Sequence, residues 1–180
     1  MKWPITLLML AFILPDIKTL YAQDFPVPKK YKLKKEEDYY RYEKDILKTI
    51  DWMNKTPLNQ SPKKWKKATG FFLEWITGCP QVTIELHEET VPFLEKNEIL
   101  LIPFFAGWTK YALENPEEEN PLVQGHLAGI QNAIAFYQKN LRQGIDEDPE
   151  MEKLIELQGK NRLVGWIKEQ LGLQEKSSKL

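Results

Sequence analysis

Three times along this chain a polar capping residue is followed by proline and then by apolar residues three or four apart: at Ser61-Pro62, Asn120-Pro121 and Asp148-Pro149. A capping side chain accepts from an otherwise unpartnered N–H of the first helical turn. Proline at the first helical position supplies a preset φ where its missing N–H costs nothing. After Pro62, Trp65, Ala68, Phe72, Trp75 and Ile76 trace one face up to Gly78, read as the residue just past the helix end, with Pro80 blocking continuation. After Pro121 come Val123, His126, Leu127, Ile130, Ala133, Ile134 and Tyr137. After Pro149 come Met151, Leu154, Ile155 and Leu157, then a break near Gly159 and a second run from Leu163 to Leu171. A chain punctuated this way is committed to helices, and the expected fold is all-α: a single-domain bundle of about five or six helices.

The remaining segments complete that bundle. From Glu36 to about Asn54, Tyr39, Tyr42, Ile46, Ile50 and Met53 recur at helical spacing. Glu36, Glu37 and Asp38 favour the positive end of the helix dipole, and Thr56-Pro57 stops the run. The segment opening at Asn97 and running through Glu98-Ile-Leu-Leu-Ile-Pro-Phe-Phe-Ala-Gly-Trp108 to about Glu114 is apolar all round. It predicts a central buried helix, kinked at Pro103. Gly125, Gly129 and Ala133 lie four apart and offer a surface on which another helix backbone can come close. Residues 81–87 alternate polar and apolar like a strand, but they stand alone and are read as an extended connector. A short helix is expected over 88–95.

The N-terminus reads as a leader. Lys2, the apolar run Ile5–Leu14, Pro15 and Ala22 have signal-peptide anatomy, with about ten apolar residues, short of the ~20 that a membrane span needs. The expected organisation is a signal peptide at 1–22, an extended, solvated basic arm at 23–35, a globular domain at 36–173 and a disordered polar tail at 174–180. The protein is therefore expected in the periplasm or outside the cell. The single cysteine, Cys79, excludes an internal disulfide and every site needing two thiolates from one chain; it is read as a small buried hydrophobe.

Positions able to carry chemistry are few. The only histidines are His87 and His126, and a zincin would need a second histidine where Val91 stands. His126 falls on the apolar face of its helix and reads as a core residue donating to a backbone carbonyl. Were the two histidines to meet beside Glu85, Glu88 or Glu89, they would suit a small metal-dependent enzyme or hydrolase. A cysteine nucleophile pairing Cys79 with either histidine has no supporting flanking pattern. There is no Gly-x-Ser-x-Gly setting and no glycine-rich phosphate loop, so no catalytic residue and no cofactor is assigned.

Charge is more informative. The net charge is −1, which gives no footprint for nucleic acid. Yet residues 29–67 carry 13 basic and 6 acidic side chains, while residues 74–121 carry 2 basic and 10 acidic. Lys63, Lys64, Trp65, Lys66 and Lys67 form the candidate binding site, for a polyanion, an anionic headgroup or an acidic partner surface. Trp65 itself is expected in the core with the lysines snorkelling around it. Alternatively, the two charged segments face one another inside the fold or between subunits.

The stretch Phe105-Ala-Gly-Trp-Thr-Lys-Tyr-Ala-Leu-Glu-Asn115, with Gln23-Asp24-Phe25-Pro26 and Trp75-Ile76-Thr77-Gly78, resembles small uncharacterised exported proteins of Bacteroidota-type bacteria. That resemblance implies an envelope location and a helical domain, and brings no activity. Together these readings describe an exported helical protein acting as a non-catalytic binding or interaction module of the cell envelope. Its expected partner is an envelope protein or an anionic ligand, with contact to a membrane surface as one form.

Overall fold

The computed structural model describes residues 25–173, so the leader at 1–22 and the tail at 174–180 lie outside the described residues. The described chain is all-α: α1 (Glu36–Lys55), α2 (Pro62–Gly78), α3 (Leu101–Glu114), α4 (Leu122–Asn140), α5 (Pro149–Gly159) and α6 (Leu163–Gln170). Between α2 and α3 lie three 3₁₀ turns, Glu88–Thr90, Pro92–Glu95 and Glu98–Leu100. No helix among the described residues is long and apolar enough to cross a membrane.

The core is aromatic. Trp75, Trp108, Tyr137, Phe71, Phe72, Phe93 and Phe104 are essentially solvent-free, and Ile46, Ile50 and Met53 bring the apolar face of α1 onto them. At roughly 1.5–3 kcal/mol for each large apolar side chain removed from water, these residues dominate the stabilising side of folding. Their polar atoms are placed too: Trp75 Nε1 donates to Tyr39 O at 3.0 Å, and Trp65 Nε1 donates to Thr56 O and Pro57 O at 3.2 and 3.1 Å. Trp65 is thus a core residue that also closes the α1–α2 turn.

The centre of the bundle is the α3–α4 pair, its most extensive helix contact. The small-residue stripe explains it: Gly125 lies against the Trp108 indole, Gly129 against Phe104, and Gly107 of α3 against the Ala128 carbonyl of α4. Asn132 of α4 bridges outward, donating to Pro103 O at 2.7 Å and pairing with Asn54 of α1.

Several local expectations need correction. Pro103 is the third residue of α3, in the first turn, where an N–H has no intrahelical acceptor, so the proline starts the helix instead of kinking it. The segment 88–95 is two 3₁₀ turns because Pro92 pushes Val91 out of the helical region, to φ −130° and ψ 47°. Ser61 and Asn120 make no capping bond; Pro121 itself occupies the cap position of α4, and only Asp148 caps as expected. Gly78 is the last residue of α2, not a left-handed cap. Its missing Cβ leaves room for the Tyr39 hydroxyl, which a Cβ would meet at 2.1 Å. The α5–α6 break is made by Asn161, at φ 55°, one step beyond Gly159 and Lys160. The basic arm is not a free solvated segment either, since Phe25, Val27, Tyr31 and Leu33 pack on the core while its lysines stay exposed.

Candidate functional site: a lysine-rimmed groove

Docking of the arm onto α2 creates the site. The Tyr31 ring stacks tilted on Phe71 at 4.7 Å between centroids, and the Tyr31 hydroxyl donates to Glu74 Oε2 at 2.8 Å. Phe25 meets Trp52 edge-on at 5.1 Å. Between arm and helix runs a groove of about 680 Å³, floored by Phe25, Val27, Tyr31 and Phe71 and rimmed by Lys29, Lys63, Lys66 and Lys67. That volume falls in the range of small-molecule sites.

Helical geometry selects the rim. Positions 63, 66, 67 and 70 share one face, so three of the candidate lysines line the groove together, and Gly70 leaves it open because no atom lies within 4 Å of where its Cβ would stand. Lys64 does not line the groove, although its Nζ lies over the Phe25 ring, 5.7 Å from its centre, and Trp65 is buried. Lys29, Phe25 and Tyr31 were missed as site residues. Only the basic run and its interleaved aromatics hinted at them, and nothing local said which helix the arm would reach.

Among the described residues, no carboxylate pairs with Lys29, Lys63, Lys66 or Lys67. No salt bridge among the described residues joins a basic side chain of 29–67 to an acidic one of 74–121; the one ion pair between the two segments runs the other way, Lys110 to Asp51 at 3.0 Å. A second groove, of about 640 Å³, collects part of the opposite charge, with Glu88, Glu95 and Glu150 around Leu86, Val91, Pro92 and Leu94.

Burial, and then the Glu74 carboxylate, push the Tyr31 phenol from 10.0 up to about 12. The neutral phenol is the form the fold favours, so its contribution is complete below about pH 10 and is lost as pH rises through about 12. Ultraviolet titration of wild type against Tyr31→Phe should show one phenol ionising near the upper limit, and stability should fall less steeply across that window in the variant. Equal curves would remove Tyr31 from the buried floor.

The histidines do meet. Their ring centroids lie 5.6 Å apart, with His126 fully buried against Trp108 and Phe104 and His87 half-buried at the surface. As expected, His126 bonds a backbone carbonyl, Nδ1 to Leu122 O at 2.7 Å. Burial holds its pKa below the usual histidine value, with the neighbouring His87 adding to the effect. Among the described residues no third His, Cys, Asp or Glu joins them to form a metal-binding group. Cys79 is buried, and desolvation raises its thiol pKa, the opposite of an activated nucleophile.

The chain matches no protein-family model, and no curated protein or solved structure shows significant similarity to it.

Proposed function

We propose that this protein is an exported, non-catalytic binding module whose groove takes an anionic amphiphile, a ligand with a carboxylate or phosphate head and an apolar chain. One observation carries the reading: an apolar floor rimmed by four exposed lysines that have no salt-bridge partner among the described residues. Burying an acyl chain there supplies affinity, and the ammonium groups select the charged head and speed encounter. Export rests on the leader anatomy of residues 1–22 and on the resemblance to exported helical proteins.

Laurate, tested below its micellar concentration by calorimetry, is the probe. It should bind at one equivalent, and dodecanol at least about tenfold more weakly. Lys63→Glu/Lys66→Glu/Lys67→Glu should weaken laurate by about tenfold or more, because exposed ion pairs worth up to about 1 kcal/mol each become repulsions. Gly70→Leu offers an uncharged counterpart: it fills the groove while replacing a mid-helix glycine, so the fold should hold and binding should fall. Laurate binding unchanged by both variants, or no binding at all, would overturn the reading. Attachment of the wild type to anionic vesicles without laurate binding would assign the lysines to a membrane surface instead.

A further inference from the structure

Between α2 and the first 3₁₀ turn, residues 82–87 form neither helix nor turn. Val82 is buried, Thr83 exposed, Ile84 half-buried and Glu85 exposed, the alternation of a strand with one face on the core. His87 closes the run in the β region, at φ −113° and ψ 122°, and its carbonyl accepts from both the N–H and the hydroxyl of Thr90. A strand is completed by pairing, yet among the described residues neither the N–H nor the C=O of Thr83, Ile84, Glu85 or Leu86 enters a backbone hydrogen bond. Beside this open edge lies the acid-rimmed groove of about 640 Å³, floored by Leu86, Val91, Pro92 and Leu94. Leu86 belongs to both edge and groove, and at 43% it is one of the few large apolar side chains left exposed among the described residues.

Charge decides what covers this surface. Glu85, Glu88 and Glu95 are exposed, and none of them has a salt-bridge partner among the described residues. A second copy pairing through the same segment would set these carboxylates against their own counterparts, which repel. We infer that the 83–86 edge and its groove bind an extended basic peptide of a partner protein by strand addition. Main-chain hydrogen bonds to the open edge supply affinity, as in other sheets extended by a peptide, and alternate side chains supply specificity. Here the apolar ones settle on Leu86 and Leu94, and the lysines or arginines between them meet Glu85, Glu88 and Glu95. The connector, the 3₁₀ turns and the start of α5 build this surface, whereas the arm and α2 build the lysine groove, so the two sites are independent.

The probe is a capped heptapeptide alternating lysine and valine, titrated into the full protein by calorimetry and by amide NMR. It should bind at one equivalent, with the largest amide shifts in residues 83–86, and its counterpart with glutamate for lysine should not bind. A strand presents successive N–H groups to opposite edges, so N-methylating one alternating set of peptide amides should weaken binding by about tenfold or more, and methylating the other set should not. Glu88→Lys/Glu95→Lys changes two exposed positions, so the fold should hold, and the peptide should bind about tenfold or more weakly. No binding, equal affinity of both methylated peptides and the parent, shifts confined to other residues, or wild-type affinity in the charge-reversed variant would each overturn the assignment. Self-association of the protein through 83–86, seen by sedimentation and the same amide shifts, would overturn it too and give the edge to a second copy.

Discussion

Gly107→Ala is expected to destabilise the protein by about 3 kcal/mol, the upper end of the usual cost of overpacking and a shift of roughly a hundredfold in the folding equilibrium. The added Cβ would stand 2.4 Å from the Ala128 carbonyl oxygen and 2.7 Å from Asn132 Cβ. A flexible side-chain tip can swing aside, but a backbone carbonyl inside α4 cannot, so the methyl must push α3 and α4 apart. That separation loosens Phe104 against Gly129 and Trp108 against Gly125 and stretches the Asn132 to Pro103 hydrogen bond. Denaturant melts would read the loss directly. Gly165→Ala is the control: no atom lies within 4 Å of its Cβ position and it sits inside α6, so alanine there should stabilise by up to about 1 kcal/mol. If both variants melt alike, the close approach of α3 and α4 does not depend on Gly107.

Asp148→Ala should cost about 2–4 kcal/mol. The carboxylate is buried, caps α5 by accepting from Glu150 N and Met151 N at 3.0 and 3.4 Å, and accepts from Asn97 Nδ2 at 2.8 Å. Removing a capping side chain costs about 1 kcal/mol, and leaving the buried Asn97 amide with only the longer contact to Asp146 O at 3.4 Å adds about 1–3. The Asp148 backbone N–H is held by the Tyr137 hydroxyl, which in turn donates to Glu152, so the change also loosens the polar cluster joining α4 to α5. Asp148→Asn separates the contributions. It keeps a capping oxygen but turns an NH₂ toward the Asn97 NH₂, so its loss should lie between wild type and alanine. A loss in Asp148→Asn equal to that in Asp148→Ala would show that the Asn97 contact, not the cap, carries the effect.

Whether a proline or polar residue beside a helix start does its expected job turned on what lay next to it. The Asp148-Pro149 start formed as written, with Asp148 in the extended backbone conformation of a cap, at ψ 114°, whereas Ser61 stands at ψ 65° and α4 begins a residue later than Asn120 would cap. Asn120 and Ser61 do not cap, and Pro103 lies in a first turn because Glu98–Leu100 is a 3₁₀ turn that delays the α-helix by three residues. The candidate site divides similarly. The lysines between 63 and 67 were visible as charge, but whether they formed a site depended on the arm laying Phe25, Val27 and Tyr31 beside α2. The histidine pair joins a connector to a helix, and no spacing along the chain predicts that contact.

By itself, then, the sequence determined the helices, most of the buried face of α1, α2, α4, α5 and α6, the core positions of Trp65 and His126 and the uneven charge, because periodicity, proline and burial preference act over a few neighbouring residues; α3, apolar all round, showed no face, and Trp52 and Phe71 joined the core unannounced. Tertiary structure alone decided the groove, the rim that leaves out Lys64, the contact between His87 and His126 and the clash that forbids a Cβ at Gly107. Each of these is a distance between segments remote along the chain, set when the aromatic core packs and absent from any local stretch of residues.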